Sequence, residues 1–445
     1  MDYANLATDL LKAARSTGAD AADLLVAEGT EFSVTVRRGE VETLKEAGSK
    51  ALGIRVFVGQ RTASCYTSDF SWPALQRLVG ETVGMARVTG EDAAAGLPDE
   101  MTPPEDVDLD LYDPSPAALA TEERIERVRA AEAIALEAPG ITNSQGSSWS
   151  SGEGSVLLAS TRGFLGSYRT SSVSLSVVPQ AGKNGQLERD YWYTTGRGLS
   201  DLETPEEVGR IAAERTLRRL GATQVPTCQV PVVFDPETAV ELMGAVFSAL
   251  SGYAVFRNAT FLKDRDGEEV ASPLLTLVDE GRRRRGLGSR PFDGEGLPTR
   301  RNVPLERGVL RFYVCDAYAA RKIGAKPVGS ARRGIGGGPS VGSGNTFFEP
   351  GETSPEQILE GVERGLFVTD LIGFGVNVVT GDYSQGAVGH WIENGRLTHP
   401  VSEVTIAGNL RDMLRDVDAV GNDLVFRGSS ASPTLRIRRM TVSGS

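Results

Sequence analysis

Histidine is nearly absent: His390 and His399 are the only two in 445 residues. Any site built on imidazole, whether general base or zinc ligand, must therefore draw on the single stretch "GHWIENGRLTH". Cysteine is scarce as well. Cys65, Cys228 and Cys315 are odd in number, widely spaced and mostly in apolar surroundings, which reads as buried free thiols in a reducing cytoplasm. No window approaches the ~20 apolar residues that cross a bilayer. The opening "MDYANLATDLLKAARSTGAD" has no basic start, apolar core or small-residue cleavage site, so neither a membrane nor a secretory route is expected. Positive charge is thin: net charge is −12, and Arg282–Arg285 is the only dense basic run. Flanked by Asp279 and Glu280, that run reads as a solvated loop, and nucleic acid is not an expected partner.

What is present is ordinary globular material, 40% apolar, in a chain long enough for two cores. Residues 3–17 put Leu6, Leu10, Leu11 and Ala14 on one helical face. From 21 to 67, five segments of alternating character are separated by turn residues, so an antiparallel meander is expected. "SWPALQRLVGETVGMARV" follows as an amphipathic helix with Ser71 at its N-cap and Pro73 in the first turn. Residues 91–117 are acidic and proline-rich, too polar for a core, and read as an extended crossing segment. A helix over 117–137, strands including "GSVLLAST" and "SSVSLSVVPQ", and the helix "TPEEVGRIAAERTLRRLG" come next. Helix, strands, helix thus occurs twice before residue 221, too loosely to establish a duplication.

At "GATQVPTCQVPVVFDP" the composition turns to β segments and glycine turns, with helices near 236–251, 316–322, 355–364 and 409–415. The expected class is α+β. An N-terminal domain over 1–224 has antiparallel sheets with flanking helices, and a C-terminal domain over 225–445 is β-rich and barrel-like.

Three stretches approach a catalytic pattern. A zinc site needs three or four converging ligands, yet His390 and His399 flank a hairpin turn, "ENGR", with no third ligand near in sequence. "GPSVG", Gly338–Gly342, matches a nucleophile elbow, but no strand precedes Ser340 and no helix follows it. "GIGGGPSVGSG" lacks the spacing of either phosphate-binding glycine motif. Taken alone, the residues offer no catalytic constellation.

The chain nevertheless resembles the TldD/PmbA family, known as modulators of DNA gyrase and as a peptidase pair. The resemblance is carried by "VVFDPETAVELM", "ATFLKDRDGEEV", "SRPFDGEGLPT", "RKIGAKPVGSARR", "TGDYSQGAVGHWIENG" and "TIAGNL", and by "VRRGEVETLKEAGSKALGIRVFVGQRTASCYTSD" near the start. It extends over effectively the full length. One family branch carries H-E-x-x-x-H on a helix and a cysteine near the C-terminus, a zinc site that hydrolyses peptides. The other, PmbA or TldE, lacks those ligands and pairs with the first. Here the corresponding helix, Glu237–Gly252, has no histidine, and no cysteine follows Cys315. Glu241 alone cannot serve as the base for a zinc-bound water.

The resemblance therefore implies a non-catalytic, TldE-like subunit of a metallopeptidase complex that processes or degrades unfolded or leader peptides. No catalytic residue, metal ligand or cofactor is expected in this chain; zinc is expected in a TldD-like partner of a heterodimer, with a homodimer as the other arrangement. The substrate is expected to be an extended peptide added to a sheet edge. Asn377, Asp382, Tyr383 and Asn409 are the candidate peptide or subunit contacts. The alternative is an autonomous peptidase using a site not visible as a motif. A gyrase-directed role rests on the family's name alone.

Overall fold

The computed structural model describes residues 2–103, 107–183 and 185–444. The chain opens with the helix Tyr3–Thr17, capped by Asp2, which accepts from the amides of Ala4 and Asn5, and closed by Gly18 in the left-handed conformation. Ala7, Leu10, Leu11 and Ala14 form its buried stripe, while Leu6 lies at the margin.

The expected five-segment meander is instead three long strands: Ala21–Arg37, Glu40–Val58 and Arg61–Thr67. The glycines read as turns, Gly29 and Gly48, lie inside the ladder, opposite Ser49 and Thr30 respectively. Gly29 serves close approach rather than a turn, since a Cβ there would come within 2.6 Å of the Glu153 carbonyl oxygen. These strands join Ile141–Ser160, Leu165–Lys183, Gln186–Arg189 and Trp192–Gly196 in one seven-stranded sheet.

Two helix pairs cover one face of this sheet. Tyr3–Thr17 and Trp72–Val88 bury Leu24, Val26, Leu52 and Ile54, while Thr121–Glu137 and Pro205–Leu217 bury Phe32, Val34, Trp149 and Leu175. Leu24, Val26, Phe32 and Val34 share one parity along their strand and so one side of the pleat. The helix expected over 117–137 is split into Ser115–Ala118 and Thr121–Glu137, because Leu119 and Ala120 adopt extended backbone. The segment 91–117 does cross in extended form, but it is not purely polar cover: Leu97, Leu109 and Leu111 are buried. Residues 104–106 of that segment lie outside the described residues.

The other face of the sheet meets the C-terminal half. Leu25, Leu158 and Phe164 surround Phe292, whose ring lies 5.1 Å from Phe164 and 5.3 Å from Tyr168, both edge-on. Such pairs add roughly 0.5–1.5 kcal/mol each beyond area burial. Beside this apolar patch, Asp23 lies between two guanidiniums: Arg55 binds it at 2.5 and 3.2 Å, and Arg333 at 2.7 Å.

In the C-terminal half, Cys228–Phe234, Arg364–Ile372, Asp382–Glu393, Arg396–Asn409 and Leu435–Ser443 close on themselves, since Arg396–Asn409 pairs with both Asp382–Glu393 and Leu435–Ser443. The result is the barrel-like sheet of an α+β protein. A second sheet of short strands, among them Leu277–Glu280 and Asn345–Phe348, accompanies it. The helices Pro236–Ala249, Ala317–Ile323 and Leu410–Arg415 fall where the sequence places them, while the one expected over 355–364 ends at Glu360, before the strand that begins at Arg364. Among the described residues no helix is long and apolar enough to cross a membrane.

The basic run is a solvated loop only in part: Arg283 and Arg284 are exposed, while Arg285 is half-buried. Arg285 reaches Asp110 and Asp113 at 3.0 Å each and Asp201 at 2.8 Å, tying the crossing segment to the C-terminal half. Arg283 stacks on Phe426, with its guanidinium carbon 3.9 Å from the ring centre. Arg285 thus draws on carboxylates far away in the chain, while the flanking Glu280 accepts from the Arg282 amide at 3.1 Å.

Candidate functional site

The helix Pro236–Ala249 follows directly from the strand Cys228–Phe234. Asp235 caps it, accepting from the Thr238 amide at 2.9 Å, and Pro236 occupies the first turn, where no amide is missed. Its buried stripe is Ala239, Leu242, Met243 and Val246. Glu237 leads away from that stripe, accepting from Arg427 Nη1 at 3.2 Å and Tyr193 Oη at 3.4 Å. Arg427 lies over the Trp192 ring, 4.3 Å from its centre, so the start of the helix is held by the N-terminal sheet.

One turn on, Glu241 faces the strand Asp382–Glu393. Gln385 neighbours both Glu241 and Tyr383, and the Tyr383 and Gln385 side chains are buried. Partial burial and then the charge of Asp370 raise the Glu241 carboxyl above its ordinary range. Burial and then Glu241 push the Tyr383 phenol up, so it stays a protonated donor. Among the described residues, Gln385 Oε1 is buried with no hydrogen-bond partner. The notch is therefore polar, half-closed and incompletely satisfied. Arg219 anchors its rim by binding Asp370 at 3.0 Å.

Zinc does not fit these residues. Glu241 has carboxylate, amide and phenol neighbours, with no imidazole or thiolate among them. Among the described residues no group of three or more His, Cys, Asp or Glu gathers to hold a metal ion. Cys315 is fully buried, and burial followed by Asp316 pushes its thiol up to about 12, away from the thiolate that a metal needs.

The four contact residues named from sequence divide. Asn377, Asp382 and Asn409 meet at the foot of the loop after Ile372. Asn377 Oδ1 accepts from the Val379 amide at 2.9 Å, and Asn409 Nδ2 donates to Asp382 Oδ1 and to the Thr380 carbonyl at 3.2 Å each. Asn409 also caps the helix Leu410–Arg415 through the Arg411 amide at 3.1 Å. Tyr383 instead points into the core, 1% exposed, toward Glu241.

His390 and His399 flank the expected hairpin, whose turn residues Asn394 and Gly395 take positive φ of 49° and 76°. His390 is buried, and its Nε2–H donates to the Arg218 carbonyl at 3.2 Å. Burial, then the Arg218 charge, lowers its pKa and keeps it neutral. His399 is exposed beside Thr398. Ser340 sits on a two-residue strand paired with Ala331–Arg332, not on an elbow before a helix.

Sequence reasoning passed over Gln385 and the partners of Glu241. The available signal was a polar residue at an alternate, core-facing position of the run Tyr383, Gln385, Ala387.

Residues 22–86, 114–220 and 227–444 match, in turn, domain 1, the central domain and the C-terminal domain of the PmbA/TldA metallopeptidases. The chain is similar to metalloprotease PmbA of Escherichia coli O157:H7, 40% identical over 96% of this chain and 92% of the relative. A PmbA homolog of Haemophilus influenzae is 34% identical over 95% and 92%. Among solved structures, a putative modulator of DNA gyrase from Bacteroides thetaiotaomicron superposes with a TM-score of 0.93 at 31% identity, covering 100% of both chains. TldE from Thermococcus kodakarensis shares the fold, with a TM-score of 0.88 at 20% identity over 98% of this chain and 99% of that one. The chain belongs to the PmbA/TldD metallopeptidase family.

Proposed function

We propose that this chain is a non-catalytic, TldE-like subunit of a zinc metallopeptidase complex that processes or degrades unfolded or leader peptides in the cytoplasm. The observation that carries the reading is the helix Pro236–Ala249, whose exposed turn offers Glu241 to Gln385 and Tyr383 rather than to imidazoles. A carboxylate with a raised pKa and no imidazole or thiolate beside it makes a poor ligand for zinc and a poor activator of a water. The work left to the chain is to shape the peptide's path and to dock the zinc-bearing partner. Asp382, Asn377 and Asn409, gathered at one loop foot, are the contacts proposed for that role, with Tyr383 supporting them from within.

A second reading, autonomous peptidase activity, is favoured by the metalloprotease names of the curated relatives. One experiment separates the two. The purified chain is assayed for zinc content and for cleavage of an unfolded peptide, alone and with a TldD-like relative, with and without chelator. Cleavage that appears only with the relative supports the subunit reading. Stoichiometric zinc and chelator-sensitive cleavage by the lone chain overturn it.

A further inference from the structure

On the side away from the helices Thr121–Glu137 and Pro205–Leu217, the outer part of the N-terminal sheet presents side chains that are exposed or half-exposed. Two rows cross it from strand to strand. One is Thr35, Ser148, Ser176 and Tyr193; the next is Ser33, Ser150, Ser174 and Thr195, each residue directly opposite its neighbour in the ladder. Val34, Trp149 and Leu175, which alternate with them along the strands, point the other way and are buried under the helices. Every position in the two rows carries a hydroxyl, and none a charge. Lys45 and Glu31 border the field with opposite signs, paired with Ser33 and Gly152 respectively.

Most of these hydroxyls are free. Thr35 and Ser148 bond each other at 2.9 Å, and Thr195 Oγ1 donates to the Val173 carbonyl at 2.9 Å. Among the described residues, the hydroxyls of Ser33, Ser150, Ser174 and Ser176 have no protein partner. A solvated face is ordinarily built with Lys, Arg, Glu and Asp, and loss of charge marks the core of a contact surface. A permanent partner would meet apolar side chains, which this field lacks apart from the Tyr193 ring. What suits it is a passing occupant. A hydroxyl both donates and accepts, so it meets a peptide N–H or C=O equally well, whatever the peptide's side chains. The rows also lead to the site described above. Tyr193 closes the first of them, and its Oη donates to Glu237, at the head of the helix Pro236–Ala249, at 3.4 Å.

We infer that this hydroxyl field receives an extended, unfolded polypeptide and holds it by its backbone, with little regard to sequence. The inference rests on the subunit reading for the nature of the ligand, yet it is measured on this chain without zinc or cleavage.

The probe is a fluorescently labelled unfolded peptide of no net charge, with a scrambled copy of it, titrated into the full chain and followed by anisotropy. Both peptides are expected to bind alike. Ser174 lies between Ser150 and Thr195 in its row. Ser174→Glu and Ser174→Lys are each expected to weaken binding ~10-fold or more, because either charge must be desolvated beneath the peptide. Ser174→Thr keeps the hydroxyl and is expected to bind as the native chain does. Circular dichroism and melting establish that each variant is folded. Undiminished binding to folded Ser174→Glu and Ser174→Lys, weakening by one sign of charge alone, a strong preference for one of the two peptides, or no binding to the native chain overturns the assignment. So does a dimer in sedimentation that Ser174→Glu dissociates, which would give the field to a second copy. The subunit reading is tested separately, by zinc content and by cleavage with the TldD-like relative.

Discussion

Arg333 Nη1 lies 2.7 Å from Asp23 Oδ1, although the two residues are 310 positions apart. Asp23 belongs to the first strand of the N-terminal sheet and is 1% exposed, and the Arg333 side chain is exposed to the same degree. Burial alone would raise the Asp23 carboxyl, but Arg333 and Arg55 outweigh it and the net shift is downward. The pair is thus an ionised contact that joins the halves of the molecule.

Arg333→Met is expected to destabilise the protein by roughly 3 kcal/mol, because Asp23 stays buried with one counter-charge in place of two. Among the described residues Arg333 Nε and Nη2 have no hydrogen-bond partner, so Asp23→Asn with Arg333→Met should cost less than the sum of the single changes. Urea unfolding of the four proteins measures the coupling. Simple additivity would count against the contact.

The same seam gives stability a pH dependence. Burial, then the charge of Asp293, raises Glu295 to about 8 from 4.5; Asp316 adds to the rise and Arg55 opposes it. Arg333 also faces the group, and the Ala317 amide donates to Oε2 at 2.7 Å. Between pH 4.5 and 8 the folded state keeps a proton that the unfolded chain has released, so this contribution falls as pH rises through that window. Denaturant unfolding at pH 5.5, 7 and 8.5 should show the fall in the native chain and a shallower one in Glu295→Gln. Identical slopes would remove Glu295 from the account.

Arg285 serves the crossing segment. Besides its three carboxylate partners, its amide donates to the Leu109 carbonyl at 2.8 Å. Arg285→Met should release about 1–2 kcal/mol of local protection, because charge-assisted bonds to half-buried carboxylates are lost. Amide hydrogen exchange over residues 107–113 should quicken ~10-fold, with little change in the barrel-like sheet.

At the loop foot, Asn409→Ala removes a helix cap and two further bonds, to Thr380 and Asp382. A loss of ~1–2 kcal/mol is expected in thermal or urea unfolding. Asn409→Asp keeps the cap but brings a second carboxylate to Asp382, and should recover only part of that loss at neutral pH.

Local signals were legible wherever they were strong. The helix Tyr3–Thr17 follows from its leucine spacing, Trp72–Val88 from its proline, and the hairpin around His390 from Asn394 and Gly395. Strand lengths were not, because Gly29 and Gly48 look like turns until the pairing with Ile141–Ser160 and Ala21–Arg37 shows them inside a ladder. The partial exposure of Glu241 and the burial of Gln385 were likewise invisible, since each depends on which strand the helix Pro236–Ala249 meets.

By itself the sequence determined the mixed class, the family, and the absence of histidine from the helix Pro236–Ala249, since composition and motif are properties of the chain alone. Only the tertiary structure decided what the charges do. Arg285, Arg333 and Arg290 are three arginines in loops, yet among the described residues one holds three carboxylates, one a buried aspartate, and one main-chain carbonyls. Their partners lie up to 310 residues away. Coulomb energies depend on separation and burial, and neither is set by spacing along the chain.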